Sequence, residues 1–120
     1  MLTKYTDVTA YQTKDGSEIR ELMHPGMQQG HRQSLAEAIL QPGQQTLLHK
    51  HHLTEELYHI TSGCGLMTLG SETFSIAPGD TVRILPGTAH NLKNNGDIPL
   101  RLLCCCCPPY SHEDTKLLES

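Results

Sequence analysis

His49 and His51, separated only by Lys50, open the stretch with the most chemistry in it. If that segment is extended, both imidazoles project from one face, because successive side chains on a strand point to opposite sides. Glu55 and Glu56 follow. Once the chain turns across residues 52–55, either carboxylate can come back beside the pair on spacing alone. His90 stands three residues after Gly87 of a Pro86-Gly87 turn, whose residues restrict the backbone and so hold this third imidazole in a set position. Imidazole nitrogens and a carboxylate oxygen are donors of the mixed kind that suits a divalent transition metal: Mn, Fe, Co, Ni, Cu or Zn. The bland alternative is that the same histidines only satisfy hydrogen bonds inside a core.

These residues need rigid, closely spaced supports, and the rest of the chain is written in that style. Turn signals recur at Asp15-Gly16, Pro25-Gly26, Pro42-Gly43, Ser62-Gly63, Pro78-Gly79, Pro86-Gly87 and Asn95-Gly96. Between them, strands are expected at Glu18–Leu22, Ser34–Leu40, Gln45–His49, Glu55–Thr61, Leu66–Leu69, Thr73–Ile76, Thr81–Leu85, His90–Lys93 and Leu100–Cys106. Short strands at this spacing indicate an all-β sandwich or barrel. No segment combines helical periodicity with caps over three turns, although Ser34–Leu40 is open to a helical misreading. One domain is expected over residues 1–120, with the barrel core at about 34–107. The first ~30 residues and the tail after Pro109 are expected to pack over its outside. Ser111 to Leu118 carry a capping residue and an apolar end, which predict a short terminal turn or helix.

Composition narrows the partners. Nine basic and 13 acidic residues give a net charge of −4 with the eight histidines neutral, and the basic ones are scattered. This leaves neither a nucleic-acid footprint nor a polybasic membrane patch. No run approaches the roughly 18 apolar residues of a membrane span, and the N-terminus lacks the pattern of a signal peptide, so a cytoplasmic location is expected. A small-molecule substrate is the partner that remains.

Of the five cysteines, Cys64 stands alone and Cys104 to Cys107 are consecutive. Neighbours on a strand point apart, so the run is no disulfide framework, and it lacks the spacing of a structural zinc site. Small buried side chains in a reducing compartment are expected. The alternative is that one face's pair, Cys104 with Cys106 or Cys105 with Cys107, lies near the site as a redox-sensitive group.

Two stretches of the chain resemble the paired signatures of the cupin superfamily. The first is glycine, five residues, H-x-H, four residues, E, six residues, G, and it matches at Gly43, His49, His51, Glu56 and Gly63. The second, G-x5-P-x-G-x2-H-x3-N, matches at Gly79, Gly87, His90 and Asn94. Leu85 stands where that signature has proline, and the adjacent Pro86 is expected to stiffen the same turn. The resemblance spans Gly43–Asn94. It implies a jelly-roll barrel, or double-stranded β-helix, with a metal inside, and it selects Glu56 over Glu55 as the fourth ligand beside His49, His51 and His90. Four protein ligands on an octahedral ion would leave about two positions for substrate, water or dioxygen.

With Glu56 facing in, alternation points Tyr58 inward and His59 outward, and His52 falls at the turn, facing solvent. Tyr58 is the candidate catalytic donor. Arg20, Arg32 and Gln33 precede or begin early strands; Arg20 and Gln33 are the candidate substrate-binding residues at the barrel mouth, where an arginine would suit an anion. The resemblance allows dioxygenase, isomerase, decarboxylase, lyase and cyclase activities on a small polar substrate, with dioxygenase-type chemistry favoured by two free metal positions. A non-catalytic ligand-binding module is the rival class. The resemblance also implies a homodimer.

Overall fold

Alternating burial runs along the strands that carry the motif. On β5 (Glu55–Ser62), Glu56, Tyr58 and Ile60 are buried while Glu55, Leu57 and His59 are exposed. β10 (Leu100–Cys107) alternates in the same way, burying Leu100, Leu102, Cys104 and Cys106. The computed structural model describes residues 1–119. Besides these two strands it contains β1 (Tyr11–Gln12), β2 (Glu18–Met23), β3 (Ser34–Leu40), β4 (His49–His51), β6 (Gly65–Leu69), β7 (Glu72–Ile76), β8 (Thr81–Ile84), β9 (His90–Lys93) and β11 (Thr115–Leu117). The only helical element among the described residues is a 3-10 turn, Tyr5–Asp7, so no helix is long and apolar enough to cross a membrane.

The strands form two antiparallel sheets, as a jelly roll requires. One has six strands in the order β1-β2-β3-β10-β5-β8, and the other five in the order β11-β4-β9-β6-β7. Their inner faces close on a core in which Leu40, Ile60, Met67, Ile84, Leu100 and Leu102 are essentially inaccessible. Burying each such side chain contributes about 1.5–3 kcal/mol. Asn94, from the second motif, is also fully buried. Its amide donates to the carbonyls of Leu40 and Ile98 and its oxygen accepts from the Gly96 amide. That residue of the signature is therefore a staple between loop and barrel.

The structure departs from the sequence expectations at three places, each time through hydrogen bonding that alternation does not encode. The strand expected at Gln45–His49 is instead β4 at His49–His51. The Thr46 amide donates to Leu92 and the Leu47 amide to Asp15, so residues 45–47 divide their bonds between two elements, and only a lone bridge joins Gln45 to Lys93. The tail is neither turn nor helix at residues 115–117 but strand β11, because the edge of β4 offers unpaired backbone groups opposite Thr115, Lys116 and Leu117. Residues 11–23 do not lie over the outside either. β1 and β2 extend the six-stranded sheet beyond β3, and their inward side chains, Tyr11, Ile19 and Glu21, help to line the interior.

Candidate metal centre

His49 and His90 stand directly opposite each other on β4 and β9. His51 is two residues along the same face of β4, and the three rings converge with centroids 4.2 to 5.4 Å apart. The three histidines each offer a ligand nitrogen, and those atoms lie within 4.8 Å of one another. The Pro86-Gly87 turn helps to anchor this arrangement. Gly87 takes φ +81°, a conformation open to glycine, and its amide donates to the His51 carbonyl at 2.7 Å. The turn before His90 is thereby tied to the strand that bears the other two rings.

The hydrogen bonds on the far side of each ring decide which nitrogen faces the centre. His49 Nδ1 donates to the Leu47 carbonyl at 2.7 Å and His90 Nδ1 to the Thr88 carbonyl at 2.9 Å; a carbonyl only accepts, so both Nδ1 atoms carry the proton. His51 Nδ1 lies 3.0 Å from Thr115 Oγ1. That hydroxyl already gives its proton to the Ser111 carbonyl at 2.8 Å, so it accepts from His51. In the neutral rings all three Nε2 atoms thus carry the lone pair, the tautomer that outer hydrogen bonds fix in metal-binding histidines.

Glu56 faces them from the other sheet. Its Oε1 is 3.2 Å from His51 Nε2 and 3.7 Å from His90 Nε2, and the Cys106 thiol donates to its Oε2 at 3.2 Å. Glu56 Oε1 and His90 Nε2 are both buried without a hydrogen-bond partner. Lone pairs of imidazole facing a carboxylate oxygen repel each other unless positive charge lies between them. A divalent cation among the three histidines and Glu56 would supply that charge and satisfy both orphaned atoms, so the residues fit such an ion. Burial pushes the Glu56 carboxyl up, whereas hydrogen bonds and positive charge from His51 and His90, when those rings are protonated, pull it down to about 2; with the rings neutral, a bound cation would take over that role. Burial, followed by the neighbouring His90, lowers the pKa of His49 and favours its neutral, ligating form.

The centre opens into a cavity of about 610 Å3, including space continuous with solvent. Tyr58 lines it, as alternation predicts, with its ring 6.0 Å from that of His90. Burial and then the Glu56 charge push its phenol up, so it keeps its proton and remains a donor. His59 faces outward and bonds Thr81, and His52 is exposed. The structure does not bring Arg20 and Gln33 to the cavity. Arg20 alternates with the inward Ile19 and Glu21, pairs with Glu18 at 3.7 Å and lies over the Tyr5 ring. Gln33 is exposed in the loop before β3, beside exposed Arg32.

Several lining residues escaped sequence reasoning. Asp15, legible only as a turn residue, places Oδ2 3.7 Å from His49 Nε2. Glu21, Tyr11, Tyr110 and Thr115 border the cavity from the two ends of the chain. Only the β2 alternation of Ile19 and Glu21 carried any signal for them. The cysteine run divides by parity: Cys104 and Cys106 line the cavity, while Cys105 is half-buried and Cys107 exposed. Burial pushes both inward thiols well up. They are therefore protonated, and the thiolate that redox chemistry requires is suppressed.

Comparison with known proteins agrees with this architecture. Residues 36–106 match the cupin domain family. An uncharacterized protein of Methanocaldococcus jannaschii is 56% identical, over 98% of this chain and 94% of its own. Mannose-1-phosphate guanylyltransferase 2 of Escherichia coli O157:H7 is 32% identical over 79% of the chain, which spans 21% of that longer protein. Among solved structures, a predicted oxalate decarboxylase from Thermotoga maritima superposes with a TM-score of 0.79 at 23% identity, covering 90% of this chain and 99% of its own. Pac13, a nucleoside dehydratase, superposes with a TM-score of 0.80 at 14% identity, covering 99% and 91%. At these identities the two solved structures are evidence of fold alone.

Proposed function

The chain belongs to the cupin domain family, and from that premise we propose that it is a metal-dependent enzyme acting on a small polar organic molecule. His49, His51, His90 and Glu56 hold one divalent transition metal. The single observation that carries this reading is a cluster of three imidazoles, two of which, His51 and His90, set Nε2 within 3.7 Å of a buried Glu56 oxygen that has no hydrogen-bond partner. When bound, the ion supplies Lewis acidity to a substrate oxygen. The chain's own groups do the rest. The carbonyls of Leu47 and Thr88 and the Thr115 hydroxyl keep the imidazoles aimed. Cys106 steadies the Glu56 oxygen that faces away from the histidines. Tyr58 offers a protonated phenol to the substrate, and the apolar walls from Leu40, Leu92 and Leu102 exclude water from it.

Elemental analysis of protein purified without metal supplementation or affinity tag is expected to find about one transition metal per chain, and the double variant His49→Ala/His51→Ala to lose it. Unchanged, tightly bound metal in the double variant would overturn the assignment. Within this reading we favour dioxygenase-type chemistry, on the ground that four protein ligands leave positions for substrate and oxygen together. Oxygen uptake by the metal-loaded protein across a substrate panel tests that point. Metal-dependent turnover without oxygen would assign an isomerase, lyase or cyclase instead, and ligand binding without turnover a binding module. The same reading includes a homodimer, supported by exposed Leu57 on β5 and exposed Leu85 just past the end of the neighbouring β8; sedimentation at micromolar concentration checks it.

A further inference from the structure

The cavity has an acidic wall that the metal centre leaves unused. Glu21 on β2 is only 3% exposed. Its Oε1 accepts a hydrogen bond from the Tyr11 hydroxyl at 2.9 Å, but its Oε2 is buried with no partner at all. Burial and the adjacent Glu21 charge raise the pKa of Tyr11, so that phenol stays a donor and holds the carboxylate in place. Glu21 and Tyr11 border the same cavity as His49, His51 and Glu56. They approach it from β1 and β2, whereas the histidines approach from the facing sheet.

The charge balance of the cavity shows what this oxygen is suited to receive. Asp15, Glu21 and Glu56 line it, and no lysine or arginine does. A divalent ion offsets two of the three negative charges. Glu56 faces the histidines. Asp15 is held by Ser17, whose amide and hydroxyl donate to its Oδ1, and its Oδ2 stands 3.7 Å from His49 Nε2, on the side of the metal centre. Glu21 is the carboxylate left with a free, desolvated acceptor. Such an acceptor is costly while unmet and strongly selective once met, since a site built to accept a hydrogen bond rejects ligands that cannot donate one.

We propose that Glu21, braced by Tyr11, is the second anchor of the substrate: it accepts a hydrogen bond from an amino or hydroxyl group at the end of the molecule remote from the metal. This rests on the metal-centre reading above. The site thereby selects a neutral or cationic small molecule and disfavours one with a carboxylate at that end, which would meet Glu21 with like charge.

Hydroxamates provide the probe, because one end chelates a metal and the other can be varied. Metal-loaded protein is titrated calorimetrically with aminoalkyl hydroxamates of two to four carbons, with their methyl-ended counterparts, and with their carboxylate-ended counterparts. The best ammonium-ended compound is expected to bind about tenfold or more tightly than its methyl counterpart, and the carboxylate-ended one most weakly. Glu21→Gln, of the same shape, is expected to abolish most of the ammonium advantage while leaving the methyl-ended compound and the metal content unchanged. Any other ordering in the wild-type protein, including no binding by any of the three, overturns the proposal. So does an ammonium advantage that survives Glu21→Gln. Metal content measured on the same samples separates this failure from failure of the metal centre: a protein that holds no metal refutes the earlier reading, and one that holds metal but ignores the tail refutes only this one.

Discussion

The two sheets meet across the cavity with opposite chemistry. The five-stranded sheet presents three imidazoles, each with its outer nitrogen tied back to its own sheet or the adjoining chain. The six-stranded sheet presents Glu56 and Glu21, with Tyr58, Cys104 and Cys106 between the apolar residues. One side is a set of lone pairs with fixed aim, and the other is a set of negative charges with few donors. Neither face is electrostatically content with the other alone, and a cation between them resolves the mismatch. A binding centre can therefore be divided so that geometry comes from one layer and charge from the other.

Removing the charge from the six-stranded side breaks that division most severely. Glu56→Gln keeps the shape and deletes the negative charge, and metal affinity is expected to fall roughly 100-fold or more, by analogy with the cost of removing one partner from a buried charge pair. Competition with a chromogenic chelator measures it, and an unchanged affinity would mean that the histidines alone hold the ion.

A smaller effect is expected from loosening the aim on the five-stranded side. Two of the three outer acceptors are backbone carbonyls that no substitution removes. The third is Thr115 Oγ1. Thr115→Val keeps its volume and removes the acceptor, and should weaken metal binding by about 10–100-fold, the range seen when such outer partners are lost. Equal affinity in the variant would show that the ring of His51 is aimed by packing alone.

The smallest effect is in pH dependence of the metal-free protein, and it comes from His49. Its pKa is lowered in the folded state by burial and by His90, so the unfolded chain takes up this proton first as pH falls. The contribution is fully present above about 6.5 and is lost progressively below it, down to the lowered folded value, with a slope of at most ~1.4 kcal/mol per pH unit from this group. Urea unfolding of chelator-treated protein between pH 8 and 5 checks the sign. Stability that rises on acidification over that interval would contradict it.

The two sheets also differ in how far their chemistry is legible in sequence. On the five-stranded side, local spacing puts His49 and His51 on one face and a rigid turn before His90, and the family's double motif joins the three. On the six-stranded side, alternation places Tyr58 inward once Glu56 is chosen, but choosing Glu56 over Glu55 depended on the family spacing. Arg20 was expected at the mouth, and Glu21 lies inside instead, because a one-residue change of parity exchanges the two faces of a strand.

Only the family resemblance put His90 beside His49 and His51; by itself the sequence determined that this is an all-β barrel or sandwich of short strands, that His49 and His51 share one face, and that the Pro86-Gly87 turn holds His90. These are local properties, set by a period of two and by turn residues. Only the tertiary structure decided that β11 pairs with β4, which puts the Thr115 hydroxyl behind His51. It alone decided that β1 and β2 join the sheet of β5, which brings Glu21 and Tyr11 into the cavity with His49, His51 and Glu56. The order of strands in a sheet depends on which edges find each other in the packed chain, and no spacing along the sequence records that.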